Sequence, residues 1–219
     1  MIMTPKKEKL SPDILSLYMQ QTLAQEAYPT SVYKFCKENE IDEADFYKNY
    51  ASLETIKQNI WQVFFDNTLH LLHKDKNYSS HSPKDRLLTF YYTFFEVLLL
   101  NRSYVLFALE SGQSPMKYMA HFKHLRLAMK TYATELIEEG NEQKSRFTQN
   151  PVELFSEATW GQLFLLIKFW LKDSSKGFEK TDALIEKSVT VAFEVFDNTR
   201  LDSLLDLGKF LWKETTAKA

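Results

Sequence analysis

Four of the five histidines fall into two pairs, His70 with His73 and His121 with His124. Residues three apart on a helix share a face, and two imidazoles so placed are the beginning of a site for zinc or a related ion. The rest of such a site is not in register. No Glu-x-x-His occurs, the spacing that a ferritin-like di-iron bundle needs. The single cysteine, Cys36, excludes a multi-cysteine metal site and an intramolecular disulfide. Both histidine pairs are therefore expected at the surface or at the rim of a cavity. Nucleophilic chemistry has no better support. There is no Gly-rich phosphate loop and no Gly-x-Ser-x-Gly elbow. Cys36 reads as a small core residue, and no two carboxylates form a catalytic pair. No metal, no cofactor and no enzymatic activity are expected.

Binding chemistry is concentrated in residues 30–56, TSVYKFCKENEIDEADFYKNYASLETI. Two short helices joined by a tight turn would bury Val32, Phe35, Ile41 and Phe46. The start of the second helix would then be free to enter a DNA major groove. That helix begins Asp42-Glu43-Ala44-Asp45, where a DNA reader normally carries neutral or basic groups. Residues 1–60 hold seven lysines, nine acids and no arginine, and the first arginine of the chain is Arg86. Arginine is the commonest reader of guanine, and lysine or arginine contacts to phosphate supply most non-specific affinity. The segment has little of either. The acids have a structural use as well: in a first helical turn each favours the macrodipole by roughly 0.3–1 kcal/mol, and Asp42 is the expected N-cap.

Helical periodicity dominates the elements that would position these groups. Only 5 Gly and 6 Pro in 219 residues, with 44% hydrophobic residues, fit an all-α protein with a sizeable core. The expected helices are 11–27, 31–38, 43–50, 52–74, 83–100, 102–111, 115–139, 151–172 and 178–198, with a final amphipathic segment over 202–213. Ser82-Pro83 and Asn150-Pro151 read as caps followed by proline at the first helical position. Residues 140–148 are expected to be polar and mobile. The formal net charge of −2 gives no overall attraction to nucleic acid. The N-terminus, MIMTPKKEKL, has no apolar signal-peptide core, and no run of about 18 uncharged apolar residues occurs. A soluble cytoplasmic protein without a membrane span is expected.

The matched residues Ser31-Val32, Phe35, Ile41, the run Phe46-Tyr47-Lys48-Asn49-Tyr50, and Ser52-x-Glu54-x-Ile56 resemble the helix-turn-helix of the tetracycline-repressor family, without a gap. Trp160 and the run from Phe169 to Ser174 resemble the end of that family's penultimate helix. Two positions depart from the pattern: the turn glycine is Glu40, and a common phosphate-binding lysine is Leu53. The resemblance implies a helix-turn-helix head over 1–55 and a ligand-binding, dimerising bundle over 56–219. It places Ser31, Tyr47, Lys48 and Lys57 at phosphates and makes Asp45 and Asn49 candidates for base edges. It implies a pocket for a small apolar or lipid-like ligand, for which Phe65, Tyr91, Phe95, Met119, Phe122 and Trp160 are the candidate lining.

Leu163, Ile167 and Trp170 on one helix and Ile185, Val189, Phe193 and Phe196 on the next offer more apolar surface than one chain is expected to cover. In the family such helices pair across a two-fold axis, so a homodimer is expected. The implied function is a transcriptional regulator whose ligand modulates DNA binding. The alternative from the acidic head is a protein of this fold that has lost DNA binding and serves as a lipid- or quinone-binding accessory or a protein-interaction module.

Overall fold

The computed structural model describes residues 13–110, 119–142, 144 and 149–197, with the side chains of 110, 196 and 197 outside that set. The helices are α1 (Ile14–Gln25), α2 (Val32–Glu38), α3 (Glu43–Asn49), α4 (Leu53–Leu72), α5 (Pro83–Leu100), α6 (Arg102–Glu110), α7 (Lys123–Glu142), α8 (Val152–Lys172) and α9 (Glu179–Asp197). Among the described residues there is no strand, so the all-α expectation holds. The expected segment 202–213 lies outside the described residues.

Local side-chain chemistry sets most helix starts. Asp13 accepts from the Leu15 amide at 3.2 Å, Ser31 from Lys34 at 3.3 Å, and Asp42 from Ala44 at 2.9 Å. Ser52 and Ser82 do the same for Thr55 and Asp85, each at 3.2 Å. Each such cap satisfies an amide that the helix itself cannot. Asn150 is different. It does not cap α8, whose preceding residue Pro151 makes no side-chain bond. Its backbone instead exchanges hydrogen bonds with the Asn141 side chain, the amide donating to Oδ1 at 2.8 Å and the carbonyl accepting from Nδ2 at 3.0 Å. Gly140 also departs from expectation: α7 runs through it to Glu142. A Cβ there would lie 3.5 Å from Pro83 Cγ, an ordinary van der Waals contact, so the end of α7 packs beside the start of α5 without requiring glycine.

The described residues form two compact units, 13–63 with 101–110 and 119–124, and 64–100 with 125–142, 144 and 149–197. The division falls inside α4, and α6 groups with the N-terminal helices. In the first unit, Phe35 is the centre of an aromatic cluster, edge-on to Tyr18 at 5.8 Å and to Phe46 at 6.1 Å. Cys36 is buried beside it, and burial, with Glu43 and Asp42 adding to it, pushes the thiol pKa up. In the second unit, Phe90 sits 5.2 Å from Phe65 and 4.8 Å from Tyr132.

Glu40, at the turn between α2 and α3, has φ +55°. That is left-handed backbone, which glycine adopts freely and a side chain adopts at a cost of roughly 1–2 kcal/mol. Part of this is offset because glycine loses more freedom on folding. Glu40→Gly should therefore stabilise the protein by up to about 1 kcal/mol, read as a higher urea midpoint with an unchanged slope. Glu40→Val should lower that midpoint.

Candidate functional site

The outer face of α3 carries Tyr47, Lys48 and Asn49, all exposed, as a DNA-reading helix requires. The cations expected at phosphate are already engaged. Lys48 Nζ lies 2.6 Å from Asp45 Oδ1, one turn back on the same helix. That hydrogen bond and the Asp45 charge hold the ammonium pKa above its ordinary value. Lys57 Nζ lies 2.9 Å from Glu54 and 4.3 Å from the centre of the Tyr28 ring, with its side chain only 15% exposed. Asn49 donates to the Asp45 carbonyl at 2.9 Å, and the Ser31 hydroxyl caps α2. Helices α2 and α3, joined by the turn at Glu40, thus carry a surface on which acids sit beside the available lysines.

The histidines divide differently from expectation. His70 and His73 are exposed, but His121 is 2% exposed and packs edge-on to Tyr28. Its Nε2 lies 3.4 Å from Glu54 Oε1. Burial lowers its pKa, Glu54 opposes the shift and Lys57 reinforces it. His124 faces another partner, Asn59, at 3.0 Å. The two imidazoles therefore do not share a site, and no cluster of three potential metal ligands occurs among the described residues. A polar residue in a core is tolerated when a partner meets it. Glu54, 67 positions earlier, is a partner that sequence periodicity does not pair with His121.

The six candidate lining residues do not all fall in one unit. Met119 and Phe122 belong to the first, where Met119 is exposed and Phe122 packs 4.6 Å from Trp61. Phe65, Tyr91, Phe95 and Trp160 belong to the second and are buried. Phe65 packs on Phe90, Phe95 lies 5.9 Å from Trp170, and Trp160 lies 6.3 Å from Phe164. The Tyr91 hydroxyl is within reach of the Thr159 carbonyl at 3.2 Å and of Gln162 Oε1 at 3.1 Å. Burial raises its pKa well above the ordinary phenol value, so it is a neutral donor.

A cavity of about 540 Å³ lies elsewhere in the second unit, lined by Ser80, His81, Ser82, Pro83, Lys84, Ile137, Glu139, Gly140, Lys144, Asn150 and Phe193. Beside it the Tyr78 and Tyr132 hydroxyls meet at 2.5 Å, and both are within reach of the Arg86 carbonyl. The Arg86 guanidinium lies 5.5 Å from the Tyr78 ring centre and pairs with Glu139.

On the last two helices, Leu163, Ile167, Trp170, Ile185, Val189 and Phe193 are all buried within the single chain. The Phe196 side chain lies outside the described set. What α8 leaves outside is a second apolar stripe, Leu154, Leu165 (66% exposed) and Phe169, with Ala158 between them on the same face. On α9, Val191 is an exposed large apolar residue. Sequence periodicity found the buried stripe of α8; the same period read from Leu154 finds the exposed one.

Residues 86–211, more than half of the chain, match a family described as tetracyclin repressor-like, C-terminal domain. No curated protein matches the chain.

Proposed function

The chain belongs to the tetracycline-repressor-like family, and from that premise we propose that it is a cytoplasmic transcriptional regulator. It acts as a homodimer whose helical bundle binds a small ligand and whose N-terminal heads bind DNA. One observation supports the DNA-binding part above others. It is the set of local features such a head would use: side-chain caps at Ser31 and Asp42, a Phe35–Phe46 contact, a left-handed residue at the turn, and exposed Tyr47 and Asn49. Ligand changes operator affinity by favouring one of two arrangements of the heads, which requires unequal affinity for the two.

The test is fluorescence anisotropy of the purified protein against pooled fragments of its own genome, from low to physiological salt. Saturable binding to one fragment in the presence of competitor DNA is the expected result. A second reading is favoured by the pairing of Lys48 with Asp45 and Lys57 with Glu54. In that reading DNA binding has been lost, the acidic head meets a basic protein partner, and the bundle holds a lipid- or quinone-like molecule. Absence of binding even at low salt selects this second reading, because electrostatic contacts are strongest there.

Dimerisation has its own test. The exposed α8 stripe offers an isologous surface, with Leu163, Ile167, Trp170, Ile185, Val189 and Phe193 as the packing beneath it. Leu165→Asp puts a charge in the middle of that stripe. Sedimentation should show a monomer with unchanged helical content; a variant that remains dimeric would remove α8 from the interface.

A further inference from the structure

We propose that His121 is a proton-operated latch of the first unit: the neutral ring holds residues 119–124 closed against α4, and the protonated ring releases them. One carboxylate, Glu54, meets two nitrogens. Its Oε2 lies 2.9 Å from Lys57 Nζ, and its Oε1 lies 3.4 Å from His121 Nε2. Tyr28 completes the cluster, with Lys57 over its ring and His121 edge-on to it. A charged imidazole would therefore be a second cation beside Lys57, with one half-exposed carboxylate between them.

The other ring nitrogen is worse placed for charge. Nδ1 is buried and has no hydrogen-bond partner among the described residues. In the neutral ring that nitrogen is the bare acceptor. The protonated ring carries N–H on both nitrogens, and one of them would be a charged donor with nothing to meet it. A buried donor without an acceptor is costly, the more so when charged. The phenols nearby do not alter the balance, because burial above all keeps Tyr18, Tyr28 and Tyr104 neutral. Glu54 and Lys57 are the charged groups facing His121 among the described residues, and they act on it in opposite directions.

Release is local because little covers the ring. Met119, Ala120 and Lys123 are exposed, and Phe122, against Trp61, is the apolar anchor of the segment. Bringing His121 to water displaces a short stretch of chain and not a core helix. The sign follows from the burial, which holds the closed-state pKa below the ordinary value of about 6.5 that the ring regains in water. Between the two values the open segment binds a proton that the closed one does not, so closure weakens as pH falls below about 6.5. Glu54 lies in the first turn of α4, which follows α3, so the latch bears on the helix after the candidate DNA reader. The device itself needs no DNA and stands apart from the reading of the head as DNA-binding.

The test is hydrogen exchange of the full chain without DNA between pH 7.5 and 5.5, corrected for intrinsic rates, beside an NMR titration of the histidine rings. Protection of residues 119–124 should fall by up to about tenfold per pH unit below about 6.5, while that of α5 holds. The His121 ring should titrate below the four other histidines. His121→Gln, which keeps a neutral donor, should abolish the pH response, and His124→Gln, which alters the neighbouring ring, should retain it. Should His121→Gln fail to fold, Glu54→Gln serves instead: it removes the anion that favours the charged ring and should move the His121 titration to lower pH. The proposal is overturned by constant protection of 119–124 across this range, by an equal fall in His121→Gln, or by a His121 ring that titrates at or above about 6.5. It is overturned as well if Glu54→Gln leaves that titration in place. Failure of the chain to bind DNA would sink the regulator reading and leave this one standing.

Discussion

Replacing Asp173 by alanine should lower the melting temperature by roughly 5–10 °C, the larger of two effects that bear on how the molecule is held together and what it binds. Asp173 follows the last residue of α8 and is 8% exposed. Its carboxylate accepts four hydrogen bonds. Two come from Ser175, amide at 2.9 Å and hydroxyl at 2.6 Å, and two from Thr181, amide at 2.9 Å and hydroxyl at 2.7 Å. Thr181 lies in the first turn of α9, so one side chain ends one helix and caps the next. Alanine would leave these donors without their acceptor.

The pH dependence carries the same signature. Burial alone would raise the Asp173 pKa, but the bonds from Ser175 and Thr181 outweigh it and hold the carboxyl well below the usual range. A depressed folded-state pKa means that the unfolded chain takes up the proton first. The stabilisation is fully present above the unfolded value of about 4 and is lost as pH falls below it toward the folded value. Thermal melts of the native protein should therefore lose stability in acid below about pH 4. Asp173→Asn should show a shallower loss over that window. Identical acid profiles for the two proteins would mean that the four bonds do not bind the carboxylate more tightly than water does.

Asp45→Ala should raise affinity for non-specific duplex DNA roughly tenfold at low salt and steepen the salt dependence by about one counterion. The substitution removes an anion from the face that would meet phosphate and releases Lys48 from its 2.6 Å ion pair. Glu96→Ala, an exposed acid on α5, is the matched control and should leave DNA binding unchanged. The opposite result is equally informative. Weaker binding to one genomic fragment, with non-specific binding unaltered, would make Asp45 a reader of cytosine and would end the idea that it restrains Lys48.

What could be read from the chain divides along the range of the interactions. The caps at Asp42 and Ser82 are legible because donor and acceptor lie two or three residues apart. The turn at Glu40 was legible as a departure from glycine, and its positive φ shows that the fold keeps the conformation and tolerates the side chain. His121 is buried where its spacing predicts a surface or rim, and its neighbour Glu54 lies far away in sequence. Asn150 looked like a cap because Asn-Pro does precede a helix, yet its backbone is taken by Asn141. On α8 the residues of the buried face were found, but periodicity alone does not say which of two apolar stripes meets the chain's own core. The cavity drew on four separate stretches of chain, and nothing in their local composition marks them as neighbours.

The burial of Cys36 gives the head a reporter of its own opening. With one cysteine in the chain, 1% exposed and its thiol pKa raised by burial and two nearby acids, the closed protein presents no thiolate that could attack an aromatic disulfide reagent and expel its aromatic thiolate. Labelling then proceeds only through excursions that expose α2, and its rate at fixed pH measures how often the head comes apart. Compared with the rate of whole-molecule unfolding, that clock separates a head that breathes on its own from one that opens only when everything does.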